Sequence, residues 1–169
     1  YAEALQNYKQ VIKVNPRHAL ALLNMGVVYD RMREDALAEK YYLEAASVDS
    51  QNAAPLFNLG LLYDKSKKYE LALDYLNRAI KLNSKKADFY FNKANVLAKL
   101  DRVDGAIAAY QKTVSLDPNH MDGYANLSIV SYLTGKYEDA VEYYEEAAML
   151  GYQAPKEFLQ ALEPYRKSP

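Results

Sequence analysis

Apolar positions in this chain recur on two scales. Locally they fall three and four residues apart, the period of a helix with one buried face. Across the chain the whole arrangement returns every 34 residues. Alanine stands at Ala4, Ala38, Ala72, Ala106 and Ala140. Four residues later come Tyr8, Tyr42, Leu76, Tyr110 and Tyr144, and three after those Val11, Ala45, Ala79, Thr113 and Ala147. A small residue beside a large one on the same face suits close helix packing.

A second helix of different texture alternates with the first. It carries Leu22, Leu56, Tyr90 and Tyr124, then Met25, Leu59, Lys93 and Leu127. A small residue always follows: Gly26, Gly60, Ala94 or Ser128. Tyr29, Tyr63, Leu97 and Ser131 complete the set. The small position predicts a notch into which another helix fits. Polar links such as Arg33-Glu34-Asp35 and Lys67-Lys68 separate the two helices of a unit. Asn15-Pro16, Asp49-Ser50, Asn83-Ser84 and Asp117-Pro118 separate one unit from the next. The predicted unit is helix, turn, helix, turn.

On Leu22, Met25, Gly26, Tyr29, Ala38, Tyr42, Ala45 and Ser50, and again on Leu56, Leu59, Gly60, Tyr63, Ala72, Leu76, Ala79 and Ser84, the chain resembles the tetratricopeptide repeat family. The resemblance runs in register over almost the whole length, and departs at Ser50, Ser84, Lys93, Leu97, Ser131 and Tyr152. It implies an all-α fold, a right-handed α-solenoid of antiparallel helix pairs wound as a superhelix. The expected layout is a second helix of a truncated repeat at 1–18. Complete repeats follow at 19–52, 53–86, 87–120 and 121–154, with a capping helix at 155–169. Pro155 suits the start of that helix, and Phe158, Leu159 and Leu162 would bury against the last repeat.

The first 18 residues pose a problem of burial. Ala4, Tyr8 and Val11 are the residues that pack on a preceding helix, and leaving a large side chain in water costs about 1.5–3 kcal/mol. The expectation is that a helix has been removed from this end. Edge-to-edge self-association through residues 1–18 would be one consequence.

Composition removes function classes rather than adding them. Among 169 residues, 21 Lys and Arg face 22 Asp and Glu, a net charge of -1. That balance offers no field for nucleic acid or an anionic membrane. No apolar run reaches the 18 residues of a membrane helix, so membrane insertion is not expected. With no cysteine there is no disulfide, thiolate metal site or thiol nucleophile. The two histidines, His18 and His120, stand at the same loop position three repeats apart and read as solvated. No glycine-rich phosphate loop occurs, Glu145-Glu146 reads as a solvated helix face, and Asp30 and Asp64 recur at repeat spacing. The expected protein is not an enzyme and takes no cofactor or metal. No compartment follows from the sequence.

What remains is a surface. The resemblance implies that the first helix of each pair lines the concave side of the stack. The candidate partner-binding residues there are Leu23, Asn24 and Val27, then Phe57, Asn58 and Leu61, then Phe91, Asn92 and Asn95, then Asn126 and Ile129. Asparagine recurs once per repeat, and an amide both donates to and accepts from a peptide backbone. In the similar repeats of O-GlcNAc transferase asparagines line the groove. The alternative is that these amides support neighbouring backbone. Leu23, Val27, Phe57, Leu61, Phe91 and Ile129 would form an apolar patch, with Phe57 and Phe91 as anchors, unless some pack on the adjacent repeat.

The basic clamp by which related repeats hold chaperone carboxylates is absent, because Leu23, Val27, Ala54, Phe57 and Asp88 occupy its places. Lys93, at a position the family usually makes apolar, is expected to lie partly exposed or to face an acid. The reading is a non-catalytic scaffold that holds a protein or peptide partner in its groove. The alternatives are the substrate-recognition arm of a larger enzyme, such as a glycosyltransferase, and a self-assembling scaffold.

Overall fold

The computed structural model describes residues 1–166, and the two alternating patterns become ten α-helices with no strand among the described residues. They are α1 (Ala2–Val14), α2 (Ala19–Arg31), α3 (Asp35–Val48), α4 (Ala53–Lys65), α5 (Tyr69–Leu82), α6 (Ala87–Lys99), α7 (Val103–Leu116), α8 (Met121–Leu133), α9 (Tyr137–Met149) and α10 (Lys156–Leu162). A 3-10 turn, Glu163–Tyr165, follows α10, and positions 167–169 of the expected cap lie outside the described residues.

The chain divides into two compact units, Tyr1–Lys85 and Lys86–Pro169. In the first, α2 pairs with α3 and α4 with α5, while α1 rests on α2 and α3 on α4. In the second, α6 pairs with α7 and α8 with α9, α7 rests on α8, and α10 contacts α9. Each unit is thus built as an α-solenoid is, from adjacent antiparallel helix pairs.

One backbone device joins the helices of every pair. After α2 the Arg33 N–H donates to the Asp30 carbonyl (2.9 Å) and the Glu34 N–H to the Tyr29 carbonyl (2.9 Å). These two bonds satisfy carbonyls that the helix end leaves without partners. Lys67 and Lys68, Asp101 and Arg102, and Gly135 and Lys136 close the later turns in the same way. The geometry forces the first residue of each turn into the left-handed region, with φ of 62° at Arg33, 59° at Lys67, 58° at Asp101 and 77° at Gly135. Only the last of the four is glycine, the residue that adopts this conformation without a steric cost. Changing Arg33 and Lys67 together to glycine is therefore expected to raise the melting temperature by a few degrees, on the order of 1 kcal/mol in all. Thermal unfolding followed by circular dichroism checks this, and an unchanged or lower midpoint would refute it.

The turns between repeats use side chains instead. Asn15, Asp49, Asn83 and Asp117 each accept through Oδ1 from the backbone N–H two residues on. This local bond reverses the chain without a glycine. The series ends at Gly151, where the chain turns at φ 101° and runs on through Tyr152 to the Pro155 that begins α10.

The cores follow the repeat pattern. Leu22, Met25, Ala38, Tyr42 and Ala45 are buried in the first pair, and Leu59, Ala72, Leu76 and Ala79 in the second. The second unit admits hydroxyls and satisfies them: Thr113 Oγ1 donates to the Ala109 carbonyl (3.0 Å) and Ser128 Oγ to the Ala140 carbonyl (2.7 Å). Tyrosines stack across the pairs, Tyr29 on Tyr41 (5.4 Å) and Tyr63 on Tyr75 (5.3 Å), which places four of the 17 tyrosines. Leu162 of α10 is fully buried with Ala140 and Val141, and Phe158 and Tyr165 pack around them. Lys93 is half-buried, and its ammonium reaches water. On α1, Leu5 is buried, Ala4 and Tyr8 are half-buried, and Val11 and Val14 are 37% and 88% exposed.

Candidate partner-binding surface

The first helix of each pair turns one face to the core and leaves a second face half-buried. In the first unit that second face holds Leu23, Asn24 and Val27 on α2, and Phe57, Asn58 and Leu61 on α4. The spacing explains why. Leu22, Met25, Gly26 and Tyr29 fill the buried stripe of α2, so residues one position on fall beside it. Helices α2 and α4 approach each other within the unit, which makes the two sets neighbours.

In this unit the amides of Asn24 and Asn58 have no hydrogen-bond partner among the described residues, and their polar atoms reach solvent. The charges beside them are satisfied by one another. Lys65 Nζ donates to Asp30 Oδ1 (2.9 Å) and to Asp35 Oδ1 (3.0 Å). Those bonds, Asp30 first and then Asp35, hold the ammonium above the usual lysine range. The cluster is exposed, so it contributes little to stability, and with two carboxylates to one ammonium it leaves an excess of one negative charge at this edge.

The second unit treats the equivalent positions differently. Asn92 Nδ2 donates to the Asp88 carbonyl of its own helix (2.8 Å). Asn126 Nδ2 donates to Asn95 Oδ1 (3.2 Å) and to the Tyr110 hydroxyl (3.2 Å), and that hydroxyl donates to Asn95 Oδ1. Burial pushes the Tyr110 hydroxyl up to about 12, against a smaller opposing effect of the Asn126 hydrogen bond. For Asn92, Asn95 and Asn126 the amides are therefore engaged within the fold, the supporting role named above as the alternative. The signal for this network is legible in retrospect. Position 95 is asparagine where the other repeats have Val27, Leu61 and Ile129. Ile129 is half-buried on α8.

Phe91 is not a bare anchor. The His120 ring lies 4.6 Å from it and the Tyr110 ring 5.9 Å. His120 is corrected accordingly. It was expected to be a solvated loop residue, yet its side chain is only 14% exposed. Its Nδ1 accepts from the Gly123 N–H (3.0 Å) and caps α8, while Nε2 lies 3.9 Å from Asp88 Oδ1. His18 caps α2 in the same way, accepting from the Ala21 N–H (3.1 Å), although it remains exposed. A ring nitrogen two atoms beyond Cβ reaches the first-turn N–H groups much as an asparagine oxygen does, and Asn52 caps α4 at the same repeat position. No group of three or more His, Asp or Glu side chains among the described residues could hold a metal. No helix among them is long and apolar enough to cross a membrane.

Comparison with known proteins agrees with this geometry. Family models described as "Tetratricopeptide repeat" match residues 21–54, 57–120 and 104–157, and one described as "TPR repeat" matches residues 1–32. No curated protein matches the chain significantly. Among solved structures, the chain is similar to a crystal structure of MamA, with a TM-score of 0.80 at 28% identity over 86% of this chain and 85% of that one. MamA 41-end from Desulfovibrio magneticus RS-1 gives 0.79 at 20% identity over 88% and 84%. Pseudomonas aeruginosa PilF gives 0.83 at 23% identity over 97% and 85%. The 34-residue period, the glycine notches, the helix pairs and the family models that match residues 1–54 and 57–157 have one reading: the chain belongs to the tetratricopeptide repeat family.

Proposed function

We propose that the protein is a non-catalytic interaction scaffold whose half-buried first-helix faces hold a segment of another protein. The observation that carries this is the continuous apolar and amide face of the first unit, Leu23, Asn24, Val27, Phe57, Asn58 and Leu61, on two adjoining helices. Side chains of that size left partly open to water gain from being covered, at roughly 25 cal/mol per Å² of apolar surface. The family resemblance supports a protein partner rather than a small molecule. Charge contributes little to recognition, because the one excess negative charge of Asp30, Asp35 and Lys65 is exposed and screened by solvent.

The test is a capture experiment with the whole chain as bait. Leu23→Ala combined with Phe57→Ala is expected to lower recovery of specific partners at least tenfold, while the helical circular dichroism spectrum stays intact. Recovery of the same partners in the same amounts, from a folded double variant, would remove the surface from consideration.

A further inference from the structure

One helix carries a charge that its own fold opposes. Helix α9 holds five carboxylates, Glu138, Asp139, Glu142, Glu145 and Glu146, and no basic residue, in a chain whose net charge is -1. All five are exposed. Glu138, Glu142 and Glu145 stand four and three residues apart, so they share one stripe of the helix and repel one another. Glu145 and Glu146 lie toward the C-terminal end of α9, where the helix dipole disfavours negative charge. Glu138, Asp139, Glu145 and Glu146 enter no ion pair among the described residues. The repeat itself does not ask for acids here. The same register holds Ala36, Lys40 and Leu43 on α3, and Asp104, Ala108 and Gln111 on α7, and no other second helix places three acids there.

The acidic stripe borders a cleft. Glu138, Val141, Glu142, Glu145 and Tyr165 line a depression of about 220 Å³ between α9 and the 3-10 turn that follows α10. The Tyr165 ring is held in place by stacking on Tyr137 (4.1 Å). Carboxylates beside a fixed aromatic ring are what a guanidinium satisfies at once, by charge-assisted hydrogen bonds and by stacking. An arginine of this chain already does both at this end. The Arg166 guanidinium lies over the Tyr144 ring, 5.7 Å from its centroid, and Nη1 donates to Glu163 Oε2 (3.2 Å). A metal ion does not suit the cleft, because no three carboxylates among the described residues converge closely enough to hold one. The charge is spread instead: Glu138 to Glu145 covers roughly 10 Å of helix, the reach of about three residues of extended chain.

We propose that this cleft binds a basic segment of another protein, one that carries two arginines about three residues apart, through Glu138, Glu142 and Glu145 and the ring of Tyr165. The surface shares no residue with the first-helix faces of the first unit, so the proposal stands or falls apart from the scaffold reading.

The probe is a ten-residue peptide of glycine and serine, N-acetylated and C-amidated, with arginine at its fourth and seventh positions. Its affinity for the whole chain is measured by titration calorimetry at low ionic strength and again with added salt. The peptide is expected to bind, and to bind more weakly as salt rises. Citrulline at both positions keeps the planar shape but loses the charge, and should abolish binding. Lysine at both positions should weaken it about fivefold or more. Glu138→Gln/Glu142→Gln/Glu145→Gln should weaken binding of the arginine peptide about tenfold or more and melt no lower than the parent, since it relieves repulsion within α9. Glu3→Gln/Glu34→Gln/Glu157→Gln removes the same charge from three other exposed positions and should change affinity by less than about twofold. Leu23→Ala/Phe57→Ala should leave it unchanged.

The proposal is overturned if the arginine peptide does not bind, or if the α9 triple variant binds it as well as the parent. Equal loss in the charge-matched triple variant would reduce the effect to general attraction and reject the site. A lysine peptide that binds as tightly would reject recognition of the guanidinium. Loss of binding in Leu23→Ala/Phe57→Ala would place the peptide elsewhere and reject the cleft.

Discussion

Adding one methyl group at Gly26 is expected to destabilise the protein, although alanine is the better helix former. A Cβ built there lies 2.5 Å from both Cδ1 and Cε1 of Tyr42. That ring is 1% exposed and closed in on all sides, so it has nowhere to retreat. Helix propensity favours Ala over Gly by about 1 kcal/mol, while overpacking a core costs about 1–3 kcal/mol. Gly26→Ala should therefore lose on balance, and Gly26→Val, bulkier and β-branched, should lose about 3 kcal/mol or more. Gly105 supplies the control. It lies exposed on α7, and a Cβ there would only touch the Leu97 side chain at 3.4 Å. The identical change, Gly105→Ala, should stabilise by about 0.5–1 kcal/mol. Thermal or urea unfolding of the two alanine variants decides the matter, and shifts of the same sign in both would show that the notch is not what Gly26 is for.

Leu76 carries the second large effect. It is fully buried on α5 and its Cγ and Cδ2 would sit 2.7 and 2.9 Å from a Cβ at Gly60. Leu76→Ala removes the filling of that space and should cost about 2–5 kcal/mol, through lost burial and the cavity left behind. Gly60→Ala alone should also destabilise, because its methyl meets Leu76. Together they should be less harmful than their sum, since the new methyl enters the space that the leucine vacates. A coupling energy of about 1 kcal/mol in the double-mutant cycle is expected. Strict additivity would mean that the two residues do not share one volume.

The notch itself was legible from the sequence, because Gly26, Gly60, Ala94 and Ser128 recur in phase with a large residue 16 positions on. Repetition did most of that work: a weak signal seen four times becomes a strong one. The same repetition misled at the histidines. His18 and His120 share a loop position, and loops are usually solvated, but His120 lies under Phe91 because a side chain in the adjoining helix covers it. Such a contact depends on three-dimensional neighbours that no spacing encodes. The asparagines show the same limit. One residue type at one register serves Asn24 and Asn58 as open amides, and serves Asn126 as a member of a closed network. What separates Asn58 from Asn126 is the residue 31 positions back, Val27 in one case and Asn95 in the other, while the tyrosine 16 positions back, Tyr42 or Tyr110, is common to both.

The fit of each notch to its own knob also bears on how such a chain can be recombined. A crossover in the turns at Asn15, Asp49, Asn83 or Asp117 moves a first helix together with its second, so Gly26 stays with Tyr42 and Gly60 with Leu76. A crossover within a repeat, for example one joining α6 to α3, would seat the methyl of Ala94 where a Cβ stands 2.5 Å from the Tyr42 ring. Whole repeats are thus the exchangeable coin of this architecture, and a library shuffled at the inter-repeat turns should yield far more folded chains than one shuffled at the turns after α2, α4, α6 and α8.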